Sequence, residues 1–78
     1  MISSDQIRAA RSLLALSQTV VAEAAGVSVP TLKRAEGSGK IQASAKAIAA
    51  IRNALEASGI EFIDENGGGA GVRMREGK

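Results

Sequence analysis

Apolar positions follow a helical period up to about residue 58 and a two-residue period after it. Ile7, Ala10 and Leu14 fall at i, i+3 and i+7, and Leu13 widens the stripe. This spacing predicts a first helix reaching Leu14 or Ala15. Ser3 or Ser4 offers an oxygen to its unpaired N–H groups, and Asp5 suits the positive end of its dipole. Arg8 and Arg11 lie three apart at the edge of the stripe. Leu16-Ser17-Gln18 interrupts the pattern, and Ser17 is the expected cap of a second helix, Gln18 to about Ala25. Its inner face is Val21, Ala22 and Ala25. Gly26 ends it, because glycine takes the left-handed conformation that closes a last turn without steric cost.

Ser28 caps a third helix over about 29–36, with Pro30 in the first turn, where its missing N–H is harmless. Leu32 and Ala35 face inward, and Gly37-Ser38-Gly39 closes the helix. Ile41 is expected to anchor the following loop. Ser44 caps a longer helix to about Ala57, in which Ile48, Ile51 and Leu55 recur at i, i+3 and i+7 beside Ala47 and Ala54. Ser58-Gly59 is its stop. Ile60 to Ile63 and Val72 to Arg75 then alternate as two short strands around a glycine-rich loop, Asp64 to Gly71. The expected fold is mainly α: a compact four-helix (four to five) bundle over residues 1–58, plus a small C-terminal β-hairpin over 59–78. An isolated hairpin is marginal, so the bundle or a second subunit must cover it.

Composition narrows the possibilities. The chain has 78 residues, is 45% hydrophobic and has one aromatic residue, Phe62. It can bury a modest aliphatic core but is too short to favour a deep catalytic cleft. It has no Cys and no His, which removes disulfides, thiolate metal sites and the commonest general base. No carboxylate pair, nucleophile–base set or phosphate-cradling loop is visible. Asn66-Gly67-Gly68-Gly69 has neither the strand-then-helix context nor the terminal Lys-Ser/Thr of a P-loop. We therefore expect no enzyme, no metal, no cofactor and no small-molecule ligand. The net charge is +2, and the excess lies in the first 43 residues, where Arg8, Arg11, Lys33, Arg34 and Lys40 outnumber Asp5, Glu23 and Glu36. No apolar run approaches membrane length, and the polar N-terminus lacks a signal pattern, so a cytoplasmic, nucleoid-associated protein is expected.

Two helices joined by a tight glycine turn, with the second helix starting three residues later, form a helix-turn-helix pattern over Gln18 to about Glu36. Ala22 must be small where the next helix crosses, Gly26 must accept positive φ, Val27 plugs the turn and Leu32 buries the third helix. Leu16-Ser17-Gln18, Ala22, Gly26-Val27-Ser28, Thr31-Leu32 and Arg34 through Glu36-Gly37 together resemble the Cro/phage-repressor (XRE-type) helix-turn-helix family. The resemblance covers about residues 3–58. Ala35 departs from it, since the family usually has a larger apolar residue there, and this implies a shallower seat for the third helix. Pro30 stands where many members carry a polar base reader.

The resemblance implies double-stranded DNA binding, with the third helix in the major groove. Val29 and Thr31 would offer methyl contacts to thymine, and Lys33 and Arg34 would reach guanine or phosphate, Arg34 being the main base reader. Gln18, Ser28, Ser38, Gly39 and Lys40 would contact the DNA backbone and position the protein. Arg11 and Glu36 would form an internal ion pair. Arg73 and Arg75 either reach phosphates or solvate an exposed face.

The expected function is a transcriptional regulator, with repression by promoter occlusion the simplest mechanism. One small module rarely supplies enough specificity, so a homodimer on a palindromic operator is expected. Ile60, Phe62, Val72 and Met74 of the hairpin are its candidate dimerisation residues. The alternative is an antitoxin-like or adaptor protein that binds a protein partner through this strand segment.

Overall fold

The computed structural model describes residues 1–75. Residues 76–78 of the expected extension lie outside the described residues. The element order is α1 (Ser4–Leu14), α2 (Gln18–Ala25), α3 (Val29–Ala35), α4 (Ala45–Ala57), β1 (Ile60–Ile63) and β2 (Gly71–Met74). Each helix begins at a serine cap. Ser3, Ser17, Ser28 and Ser44 each accept a backbone N–H from three residues on. At Ser3 the cap is reciprocal, because the Gln6 side chain also accepts the Ser3 N–H at 2.9 Å.

The first three helices end alike, with a bond from the residue after a left-handed one back across the last turn. Leu16 N–H donates to Arg11 O, Val27 to Ala22 O and Ser38 to Lys33 O. The intervening left-handed residue is glycine at 26 and 37 but alanine at 15, where φ is 56°. At Gly37 space adds to conformation, since a Cβ there would sit 3.1 Å from Arg8 Nη1. Ala15 gives no stop signal in the sequence. Its strained turn is held because Leu16 packs on the core and the Arg11 guanidinium bonds the Leu16 carbonyl at 3.2 Å.

The core contains Ile7, Ala10, Val21, Ala22, Leu32, Ala35, Ile51 and Leu55 from the helices, and Ile60 and Phe62 from β1. Three inward expectations take a different form. Leu13 is 50% exposed and Ile41 is 70% exposed. Leu13 lies about 100° from Leu14 around α1, beyond the width the neighbouring elements cover. Ile41 sits in a loop with no element packed above it, so it anchors nothing. Ala35 is only 5% exposed, so α3 is closed over at this position despite the small side chain.

The hairpin pairs Ile60 with Met74, Glu61 with Arg73, Phe62 with Val72 and Ile63 with Gly71. Strand β2 thus starts one residue earlier than Val72. The face bearing Ile60 and Phe62 closes the bundle, with the hairpin packed on α1 and α4. Gln6 fastens it. Its amide donates to Ile63 O at 3.2 Å and Gly71 O at 3.0 Å, across the last strand pair, while its oxygen holds the α1 cap. The side chain is 6% exposed, and this one residue ties helix start to hairpin.

Two substitutions test these devices. Ala15→Gly relieves the left-handed alanine and should raise stability by about 0.5–1 kcal/mol in chemical denaturation. Gln6→Ala removes the side-chain donor to two carbonyls and the acceptor of the Ser3 N–H, and should cost about 2–3 kcal/mol. Hydrogen exchange should then show the hairpin amides losing protection before those of α4.

Candidate nucleic-acid interface

Helix α3 is seated by its own short pattern. Leu32 is fully buried, and Ala22 below it is 1% exposed, as a close helix crossing requires. Gly26 closes α2 at φ 72°, and Val27 is half-buried in the turn. The remaining α3 side chains are then sorted by helical phase. Pro30, Lys33 and Arg34 are exposed, whereas Val29 and Thr31 are half-buried. Thr31 is turned aside. Its hydroxyl lies 2.8 Å from Ser28 Oγ, and it lines a shallow groove with the cap Ser44 and with Lys46 and Ala47 of α4. Arg34 leans the other way, beside Met1, Ile2, Gln42 and Ala43. Ser38, Gly39 and Lys40 are exposed in the loop that follows.

The end of α3 is held by Glu36. Its carboxylate accepts Arg11 Nε at 2.7 Å and Arg11 Nη2 at 3.1 Å, a forked pair. It also accepts Gln18 Nε2 at 3.0 Å. Hydrogen bonding to Glu36 raises the Arg11 pKa, which partial burial opposes, so the guanidinium keeps its charge. The Glu36 side chain is 5% exposed. Gln18, a candidate backbone contact, therefore spends a donor inside the protein, and its proximity to α3 is set by Glu36. Arg8 completes the arrangement by donating to the Glu36 carbonyl and to Asp5.

Charge pairing separates the basic residues into two groups. Arg8, Arg11, Arg52 and Arg73 each form an ion pair, and Arg75 donates to the Glu56 carbonyl. Arg73 binds Glu61 at 2.8 Å, and this bond lowers the Glu61 pKa. The two hairpin arginines thus serve neighbours within the fold. Among the described residues, Lys33, Arg34, Lys40 and Lys46 have neither a hydrogen bond nor an ion pair from their side chains. All four fall between residues 33 and 46, and the one acid in that stretch, Glu36, is buried.

Lys46 escaped the reading of the sequence. Its signal was available: no acid lies three or four residues from it, whereas Arg52 has Glu56 at i+4. Gln6 and Arg8 were also passed over, because their partners lie 57, 65 and 28 residues away. Of the hairpin candidates, Ile60 and Phe62 are buried in the monomer, Val72 is half-buried and Met74 is 46% exposed. No cluster of His, Cys, Asp or Glu able to hold a metal exists among the described residues.

A family model of the helix-turn-helix domain matches residues 4–62, from the first residue of α1 to the last core residue of β1. The chain belongs to the helix-turn-helix domain family. No similar protein is found among curated ones. Membership points to DNA binding and to a role in transcription regulation. The matched span includes Ile60 and Phe62, which belong to the core on which the helix-turn-helix rests. No described helix is long and apolar enough to cross a membrane.

Arg11→Ala should lower stability by about 3 kcal/mol, because it strands a buried carboxylate. Thermal melting of the purified protein checks this. An unchanged melting temperature would show that the pair does not hold α3.

Proposed function

We propose that this protein is a sequence-specific, double-stranded DNA-binding transcriptional regulator of the XRE type. Helix α3 enters the major groove, with Val29, Thr31, Lys33 and Arg34 near base edges and Arg34 the chief reader. Gln18, Ser28, Ser38, Gly39 and Lys40 meet phosphates, and we add Lys46 to them. One observation carries the reading. Among the described residues, cations that have no partner in the fold are concentrated on α3, the loop after it and the start of α4, while the described basic residues elsewhere are engaged by a carboxylate or carbonyl. Partnerless cations on one face suit a polyanion that supplies the missing charge.

We further propose a homodimer that binds a palindromic operator, with one α3 per half-site about 34 Å apart. Since Ile60 and Phe62 face the monomer core, Val72 and Met74 on β2 carry the side-chain contacts across the two-fold axis, and β1 contributes through the hairpin it supports. We also propose repression by promoter occlusion, and a cytoplasmic, nucleoid-associated location from its ligand.

Binding to a selected operator should weaken steeply with salt. Lys46→Ala should weaken all sequences alike and reduce the slope of log K against log salt by about 1 per subunit. Arg34→Ala should instead relax preference at one position per half-site, costing about 1–3 kcal/mol on the best site. Fluorescence anisotropy over a salt series reads both. A slope near zero would remove the DNA-binding reading.

A further inference from the structure

The residue at the centre of the presented face of α3 is Pro30. It precedes Leu32 by two positions, which at about 100° per residue places it nearly opposite the most buried side chain of the helix. Lys33 and Arg34 lie three and four residues on and flank it on the same exposed side. Thr31, by contrast, is drawn toward α4, with its hydroxyl shared with Ser28. The ring of Pro30 fixes a helical φ in the first turn, but its outer carbons are not consumed by that role and the residue is exposed. The ring carries no donor or acceptor. It cannot read a base by hydrogen bonding and can discriminate only by apolar contact.

We infer that Pro30 is a specificity-determining residue that reads the C5-methyl group of thymine, in a half-site where guanines accept from the flanking Arg34 or Lys33. This rests on the DNA-binding reading above. Thymine alone among the four bases presents a methyl group in the major groove, and guanine presents two acceptors there. An apolar centre flanked by cations is complementary to that arrangement. Val29 borders the same patch from its half-buried position and extends its apolar surface. Thr31, near the base edges but turned toward the α4 groove, contributes nothing to this discrimination.

The test leaves the protein intact. The full chain is used to select duplexes from a random library. Each thymine of the best duplex is then replaced singly by uracil, which pairs identically but lacks the methyl group. At one or two positions per half-site, uracil should weaken binding about fourfold, the worth of one methyl-sized apolar group. In Pro30→Ala, checked for an unchanged helical spectrum, thymine and uracil should bind alike at one of those positions. Thr31→Ala should keep the discrimination. If binding is sequence-specific but no uracil matters, or if Thr31→Ala and not Pro30→Ala removes the effect, the assignment of Pro30 falls while DNA reading stands. If no sequence is selected at all, both fall.

Discussion

The buried carboxylate of Glu36 is the point on which the arrangement depends. It lies at the end of α3, accepts Arg11 from α1 and Gln18 from α2, and through its carbonyl accepts Arg8. Three helices thus meet at one residue. A seven-residue helix has too few turns to be stable by itself. Leu32 and Ala35 give α3 an apolar seat, but apolar contact is non-directional and does not set rotation about the helix axis. The directed bonds to Glu36 do. They decide which α3 side chains face outward, so the identity of the presented surface follows from an interaction that is hidden from it.

The second constraint is size. An alanine-rich bundle of short helices buries little area per residue, and here the hairpin supplies what is missing. Ile60 and the single aromatic residue, Phe62, enter the helical core, and Arg52 lies over the Phe62 ring at 5.6 Å. Gln6 keeps the strands in place with bonds to both of them. The hairpin is consequently part of the same hydrophobic unit as the helix-turn-helix. Its arginines are matched internally, Arg73 with Glu61 and Arg75 with the end of α4. Pairing at one end and its lack at the other give the molecule two electrically different faces despite a net charge of only +2.

Local rules made much of this legible. Serine caps, glycine stops and the i, i+3, i+7 spacing located four helices to within a residue or two, because those signals act over one turn of chain. The strand alternation likewise located the hairpin, and the Arg11–Glu36 pair was implied by family resemblance. What escaped was of two kinds. Ala15 closes α1 in a conformation that alanine disfavours, held there by contacts made elsewhere. Leu13 and Ile41 look like core residues on a sequence pattern, yet no neighbouring element reaches them.

The candidate interface divides the same way. The sequence by itself determined that a helix-turn-helix is present, that α3 carries Lys33 and Arg34, and that its apolar side is Leu32 and Ala35. Each is a matter of residue type and spacing along a few turns. Only the tertiary structure decided that Thr31 leans on α4, that Pro30 takes the centre of the exposed face, that Gln18 is engaged by Glu36, and that Lys46 joins the unpaired cations. These outcomes depend on which side chains meet across the fold, and the partners concerned are separated by up to 65 residues. Spacing within one element carries no information about such meetings, because they exist only after the helices have packed.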